Sequence, residues 1–96
     1  MRVLKYPLAI TDTQEVSMPE GAMILSAQMQ RGVLCLWALV DEKEPKVGVR
    51  IHIAGTGHPI DKGIDLIPID TVQDGDLVWH VFEEFVDDPE EMCMVN

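Results

Sequence analysis

The residues best equipped for chemistry stand in one stretch. Arg50 and His52 alternate with apolar neighbours in Val47-Gly48-Val49-Arg50-Ile51-His52-Ile53-Ala54, and Gly55-Thr56-Gly57-His58-Pro59-Ile60 follows at once. A guanidinium and an imidazole on the same side of a strand suit a phosphate or a carboxylate, because both supply directed N–H donors. A glycine-flanked threonine offers a hydroxyl and a run of backbone N–H groups to the same kind of ligand. Arg50, His52, Gly55, Thr56, Gly57 and His58 are therefore the candidate ligand-binding residues. The plainer account of the same stretch is a solvent-facing pair followed by a structural turn. The loop lacks the Gly-Lys-Ser/Thr of a phosphate-binding P-loop, and no helical pattern follows it, which also excludes a dinucleotide fingerprint.

Other chemistry is poorly supported. His52, His58 and His80 show none of the spacings of zinc sites, so no metal is expected. Ser17, Ser26 and Cys35 fall in strand-like segments without a neighbouring base, and no Gly-x-Ser-x-Gly elbow occurs. No catalytic residue and no cofactor is expected, and the chain is not expected to be an enzyme. Cys35 suits a small buried hydrophobe and Cys93 a tail thiol.

The elements that must position these residues are short strands. Val3 to Ile10 alternates loosely around Tyr6 and Pro7 in the first, and Pro7 confines it to a sheet edge or a bulge. Val16 and Met18 flank Ser17 in the second. In the third, Met23, Leu25, Ala27 and Met29 are expected on one face and Ile24, Ser26, Gln28 and Gln30 on the other. Arg31-Gly32 forms the centre of a tight hairpin into Val33–Val40, which is apolar on both faces and so suits a central position. Beyond the Arg50 strand, residues 66–73 form a strand that Pro68 again places at an edge or bulge. Asp74-Gly75 signals a type I′ hairpin into Leu77-Val78-Trp79-His80-Val81-Phe82. Seven short strands punctuated by glycine and proline predict an all-β fold, a small antiparallel sandwich or barrel-like sheet. Residues 1–83 form this single β-domain and residues 84–96 a short helical or irregular acidic tail, with Asp88-Pro89-Glu90-Glu91 as its helix-start signal.

At 96 residues there is room for one core. Net charge is −10, and it is unevenly spread: all seven bases and seven acids lie at or before Lys62, while the other ten acids follow it. Such a chain lacks the clustered lysine and arginine that nucleic-acid binding requires. No apolar run approaches a membrane span and no signal-peptide core opens the chain, so a cytoplasmic protein is expected.

Several segments together carry a resemblance: Lys5-Tyr6-Pro7-Leu8-Ala9-Ile10-Thr11-Asp12, Met18-Pro19-Glu20-Gly21-Ala22-Met23-Ile24-Leu25, Leu36-Trp37-Ala38-Leu39-Val40-Asp41, Gly55-Thr56-Gly57-His58-Pro59-Ile60 and Trp79-His80-Val81-Phe82-Glu83. In these the chain resembles a family of small uncharacterised accessory proteins encoded by tailed phages and prophages. The resemblance implies an accessory protein acting in the cytoplasm of a bacterial host, and for one without catalytic motifs that context points to action against host defence. The expected role is sequestration of a small anionic, nucleotide-derived ligand. The alternatives are an acidic inhibitor of a host defence protein and a minor virion component.

Two strands apolar on both faces, Val33–Val40 and Leu77–Phe82, leave one face in need of cover. Exposed apolar faces of this size usually mark interfaces. A homo-oligomer is therefore expected, with Trp37 or Trp79 near the interface centre.

Overall fold

The computed structural model describes residues 1–85, and the helix start expected at Asp88 and the thiol of Cys93 lie outside them. Seven strands follow in chain order: β1 (Arg2–Leu8), β2 (Thr13–Pro19), β3 (Met23–Gln30), β4 (Val33–Val40), β5 (Lys46–Gly55), β6 (Leu66–Asp74) and β7 (Leu77–Glu84). They form two antiparallel sheets, one of three strands in the order β1-β4-β3 and one of four in the order β2-β5-β7-β6. The fold is a sandwich; the sheets do not close into a barrel.

Alternation decides what each strand contributes. Leu4, Tyr6 and Leu8 of β1, and Leu34, Leu36, Ala38 and Val40 of β4, face inward from the three-stranded sheet. Val16 and Met18 of β2, Val49, Ile51 and Ile53 of β5, Val72 of β6, and Trp79 and Val81 of β7 meet them from the other side. Met18, Leu36, Ala38, Val40 and Ile51 are completely buried. This inner layer is the single core, and its burial supplies the main driving force for the fold.

Both prolines that break strand patterns sit where a missing N–H is tolerated. Pro7 lies in β1 and Pro68 in β6, each at the edge of its sheet, and β6 is bulged between Pro68 and Asp70. β4 is central, as its two apolar faces require. At Arg31-Gly32 both residues have positive φ, 51° and 80°, the backbone of a type I′ turn. The second hairpin is centred one residue later than expected. Asp74 pairs with Leu77, so Gly75 and Asp76 form the turn. Only Gly75 of the two has a positive φ, 59°, which fits type II′ and not I′.

The third strand departs from simple alternation. A bulge between Ile24 and Ser26 inserts Leu25 opposite the Ala38/Trp37 step of β4. The insertion shifts the phase, so Ile24 faces the core together with Ala27 and Met29, while Met23 and Leu25 are 59% and 48% exposed. The expected grouping of Met23 and Leu25 with Ala27 is corrected accordingly. A second bulge, at Ile69 of β6, lies on the same side of the sandwich, where Asp70 Oδ2 accepts from Ala27 N–H at 3.2 Å and from Gln28 Nε2 at 3.3 Å.

This phase shift has a direct check. Ile24→Ala should destabilise the fold by about 2 kcal/mol or more, as large-to-small core changes do. Leu25→Ala should stay within about 0.5 kcal/mol, as surface changes do. Urea unfolding of both variants measures the difference.

Candidate functional site

The polar residues of the four-stranded sheet lie on its outer face, because β5 turns Val49, Ile51 and Ile53 inward and so turns Gly48, Arg50, His52 and Ala54 outward. Pairing then fixes their neighbours. Thr13 of β2 stands opposite His52 and Glu15 opposite Arg50. On the other side β5 and β7 pair from Ile51↔Glu83 to Gly55↔Trp79.

Where this ladder stops, the Glu84 carboxylate reaches back across β5. Its Oε1 lies 3.2 Å from His52 Nε2 and its Oε2 3.6 Å from Arg50 Nη1. The other ring nitrogen of His52, Nδ1, meets the Thr13 hydroxyl at 3.3 Å. A neutral imidazole that donates from Nε2 to the carboxylate and accepts at Nδ1 from the hydroxyl satisfies both bonds. Hydroxyl, imidazole and carboxylate stand in the order of a nucleophilic triad. Yet Thr13 is a strand residue paired opposite His52, and the adjacent N–H of Ile53 is taken by the carbonyl of Asp12 at 3.1 Å. The cluster ties three strands together. It also means that Arg50 and His52 already hold an anionic partner, one that sequence spacing did not reveal because Glu84 is 32 residues from His52.

Beyond the end of the ladder β5 and β7 diverge and leave a fork-shaped cavity of about 480 Å³, lined by Glu15, Gly48, Val49, Arg50, Ile67, Glu83, Glu84 and Phe85. A Cβ on Gly48 would collide with the Glu15 carboxylate, so the missing side chain is what lets Glu15 lie across β5. Burial raises the Glu83 carboxyl above its ordinary value.

The other end of the ladder carries the loop. Gly57 has φ 85°, in the region that favours glycine, and His58 N–H closes the turn on the Gly55 carbonyl at 3.0 Å. Gly55 pairs with Trp79, and the indole lies 3.6 Å from the position a Cβ would take there. Thr56 Oγ1 meets His80 Nε2 at 2.8 Å, and Thr71 Oγ1 meets His80 Nδ1 at 3.3 Å. His80 is the residue that fixes the loop threonine. Beside this contact lies an open cleft of about 550 Å³, lined by Gly55, Thr56, Gly57, His58 and Pro59 on one side and Asp76, Leu77, Val78 and Trp79 on the other. His58 borders two smaller clefts as well, of about 170 and 290 Å³, and its Nε2 is 3.8 Å from an Asp12 carboxylate oxygen. His52 lines the 170 Å³ cleft with His58, whereas Arg50 lines the fork cavity. The candidate residues thus divide between two places: Gly55, Thr56, Gly57 and His58 at the loop, and Arg50 in the middle of β5 just past the end of the β5–β7 ladder, with His52 between them.

The segments that shape both places, including Gly55–Ile60 and Trp79–Glu83, fall inside residues 1–91, which match the model of one protein family. The chain belongs to the family described as a domain of unknown function (DUF7352). No curated protein and no solved structure matches it. Among the described residues of this DUF7352 domain no group of three or more His, Cys, Asp or Glu side chains is placed to hold a metal, and no helix is long and apolar enough to cross a membrane. Of the two tryptophans expected at an interface, Trp79 packs against the core and donates from Nε1 to Asp74 Oδ2 at 3.2 Å, while Trp37 lies on the outer face of the three-stranded sheet.

The raised Glu83 carboxyl sets a pH dependence. The folded state holds this proton more tightly than the unfolded chain does, so its contribution to stability declines as pH rises from the ordinary glutamate range through the raised value. Glu83→Gln removes the penalty. The variant should melt above the wild type at pH 7, and the gap should close as pH falls below the ordinary value of 4.5. Thermal unfolding between pH 4 and pH 8 measures it.

Proposed function

We propose that this DUF7352 domain is a non-catalytic binding protein that captures a small nucleotide-derived ligand in the cleft beside the Gly55–Pro59 loop. One observation carries the reading. Two segments distant in sequence converge there, with Thr56 hydrogen-bonded to His80 at 2.8 Å beside a cleft of about 550 Å³. Trp79, Leu77, Val78 and Pro59 offer an apolar wall for a planar ring, and Thr56, His58 and the loop backbone offer donors for a phosphate. Arg50 is not part of this reading, because Glu84 already occupies its ion-pairing side. His80 acts as a positioning residue that holds the Thr56 hydroxyl. Given the resemblance to phage and prophage accessory proteins, the proposed role is sequestration of a host signal during infection, in the bacterial cytoplasm.

The fork cavity favours a second reading. Three carboxylates, Glu15, Glu83 and Glu84, surround one arginine there, on a chain with 17 acids and 7 bases. An acidic surface of this kind complements a basic cleft on another protein. The second reading is therefore an inhibitor of a basic host protein.

Isothermal titration with cyclic and linear nucleotides tests the first reading. Wild type should bind a member of the panel, and Thr56→Val or His80→Ala should weaken it by about tenfold, the loss of about one charge-assisted hydrogen bond. No binding at millimolar ligand would remove that reading. A pull-down from nuclease-treated host lysate tests the second. Capture should fail with Glu15→Gln or with removal of residues 86–96, and nucleotide titration should be indifferent to both changes.

A further inference from the structure

We infer that the outer face of the three-stranded sheet is a self-association surface whose occupant is the same face of a second copy. Register places Val33, Cys35, Trp37 and Leu39 of β4 on this face, with Val3, Lys5 and Pro7 of β1 on one side and Met23, Ser26, Gln28 and Gln30 of β3 on the other. The face divides in two. Lys5 Nζ donates to Gln30 Oε1 at 2.8 Å, and since these residues sit on opposite neighbours of β4, the pair bridges the central strand near Cys35, which is buried. The other half is apolar and open: Val3, Met23 and Leu25 are 52%, 59% and 48% exposed, around half-buried Trp37 and Leu39.

Charge selects the occupant. The sequences of β1, β3 and β4 contain no aspartate or glutamate, although the chain carries 17 acids and a net charge of −10. Two copies repel each other in most orientations. Face-to-face contact of the two acid-free sheets brings apolar rows together and keeps the carboxylates of the four-stranded sheets on the outside of the pair. Such a contact is isologous and closes as a two-fold dimer. Three strands of seven or eight residues span a face of about 14 by 25 Å, so two copies bury on the order of 700 Å² together, below the roughly 1,000 Å² of a stable specific interface and of the size of a weak, transient one. Association through a contact of this size is expected to be weak, with dimer formation in the micromolar range or above. The cleft proposed for the ligand belongs to the other sheet and its loops and remains open in this dimer, so the inference is independent of the proposed ligand.

Sedimentation of the full chain from about 5 to about 500 µM brackets that affinity. The expected mass rises with concentration from 10.7 kDa toward twice that value. Val3→Glu and Met23→Glu, at positions more than half exposed and so neutral to folding, should each weaken the dimer at least tenfold by placing a carboxylate in the interface. Thr56→Val should leave it unchanged. Raising salt should strengthen association, because screening removes the repulsion between two copies of charge −10 while the apolar contact persists. A monomer throughout the range overturns the inference and assigns the face to another apolar partner or to residues 86–96 of the same chain. A dimer indifferent to both substitutions, or one that salt dissociates, also overturns it.

Discussion

The polar architecture of this domain depends on five pairs of residues, Ile51 to Gly55 of β5 against Trp79 to Glu83 of β7. The ladder joins the two middle strands of the four-stranded sheet, and each feature of interest arises at one of its ends. At the Glu83 end the strands part and the fork cavity opens, with Glu84 free to turn back onto Arg50 and His52. At the Gly55 end the chain leaves β5 beside Trp79 and the loop threonine falls next to His80. A slip of one residue would send every side chain of either strand to the opposite face. Ile51, Ile53 and Val81 would leave the core, so apolar burial holds the register that the polar contacts require.

Much of this was legible in the sequence where the signal is local. Pro7 and Pro68 marked edge strands because a missing N–H cannot be accommodated in a sheet centre, and Arg31-Gly32 marked its hairpin because the turn demands positive φ at both positions. The alternation of β5 placed Arg50 and His52 on one face correctly. What escaped notice is non-local. The bulge at Leu25 reverses the phase of β3 at a point where Ile24 and Leu25 are equally apolar, so the pattern could not choose between them. The partner of Arg50 and His52 is Glu84, in a segment whose composition suggested only a solvated acidic tail. The hydroxyls that His80 meets, those of Thr56 and Thr71, come from other strands or loops and carry no local signal.

The two outer faces differ in kind. One bears threonines, histidines, carboxylates and an arginine, with hydrogen bonds running from Thr13 through His52 to Glu84 and an ion pair on to Arg50. The other bears a lysine, polar amides and an open apolar half without a single carboxylate in its strands. Segregation of this sort gives a small domain two chemically different sides while a single shared core holds them together.

The carboxylate of Asp70 has a consequence for how the domain behaves when crowded. β3 and β6 are both edge strands, and an exposed edge is a template on which further chains can add strand by strand. Here both edges are bulged, and Asp70 joins them by accepting from Ala27 N–H and Gln28 Nε2. One backbone donor that an incoming strand could use is already taken, and the two edges are kinked out of the flat geometry that stacking needs. On the opposite side β1 carries Pro7 and Lys5, which blunt that edge in a different way. Strand addition at the β3 and β6 edges would have to displace Asp70, so a carboxylate that looks like a minor tether between sheets also disfavours further pairing on that side of the sandwich.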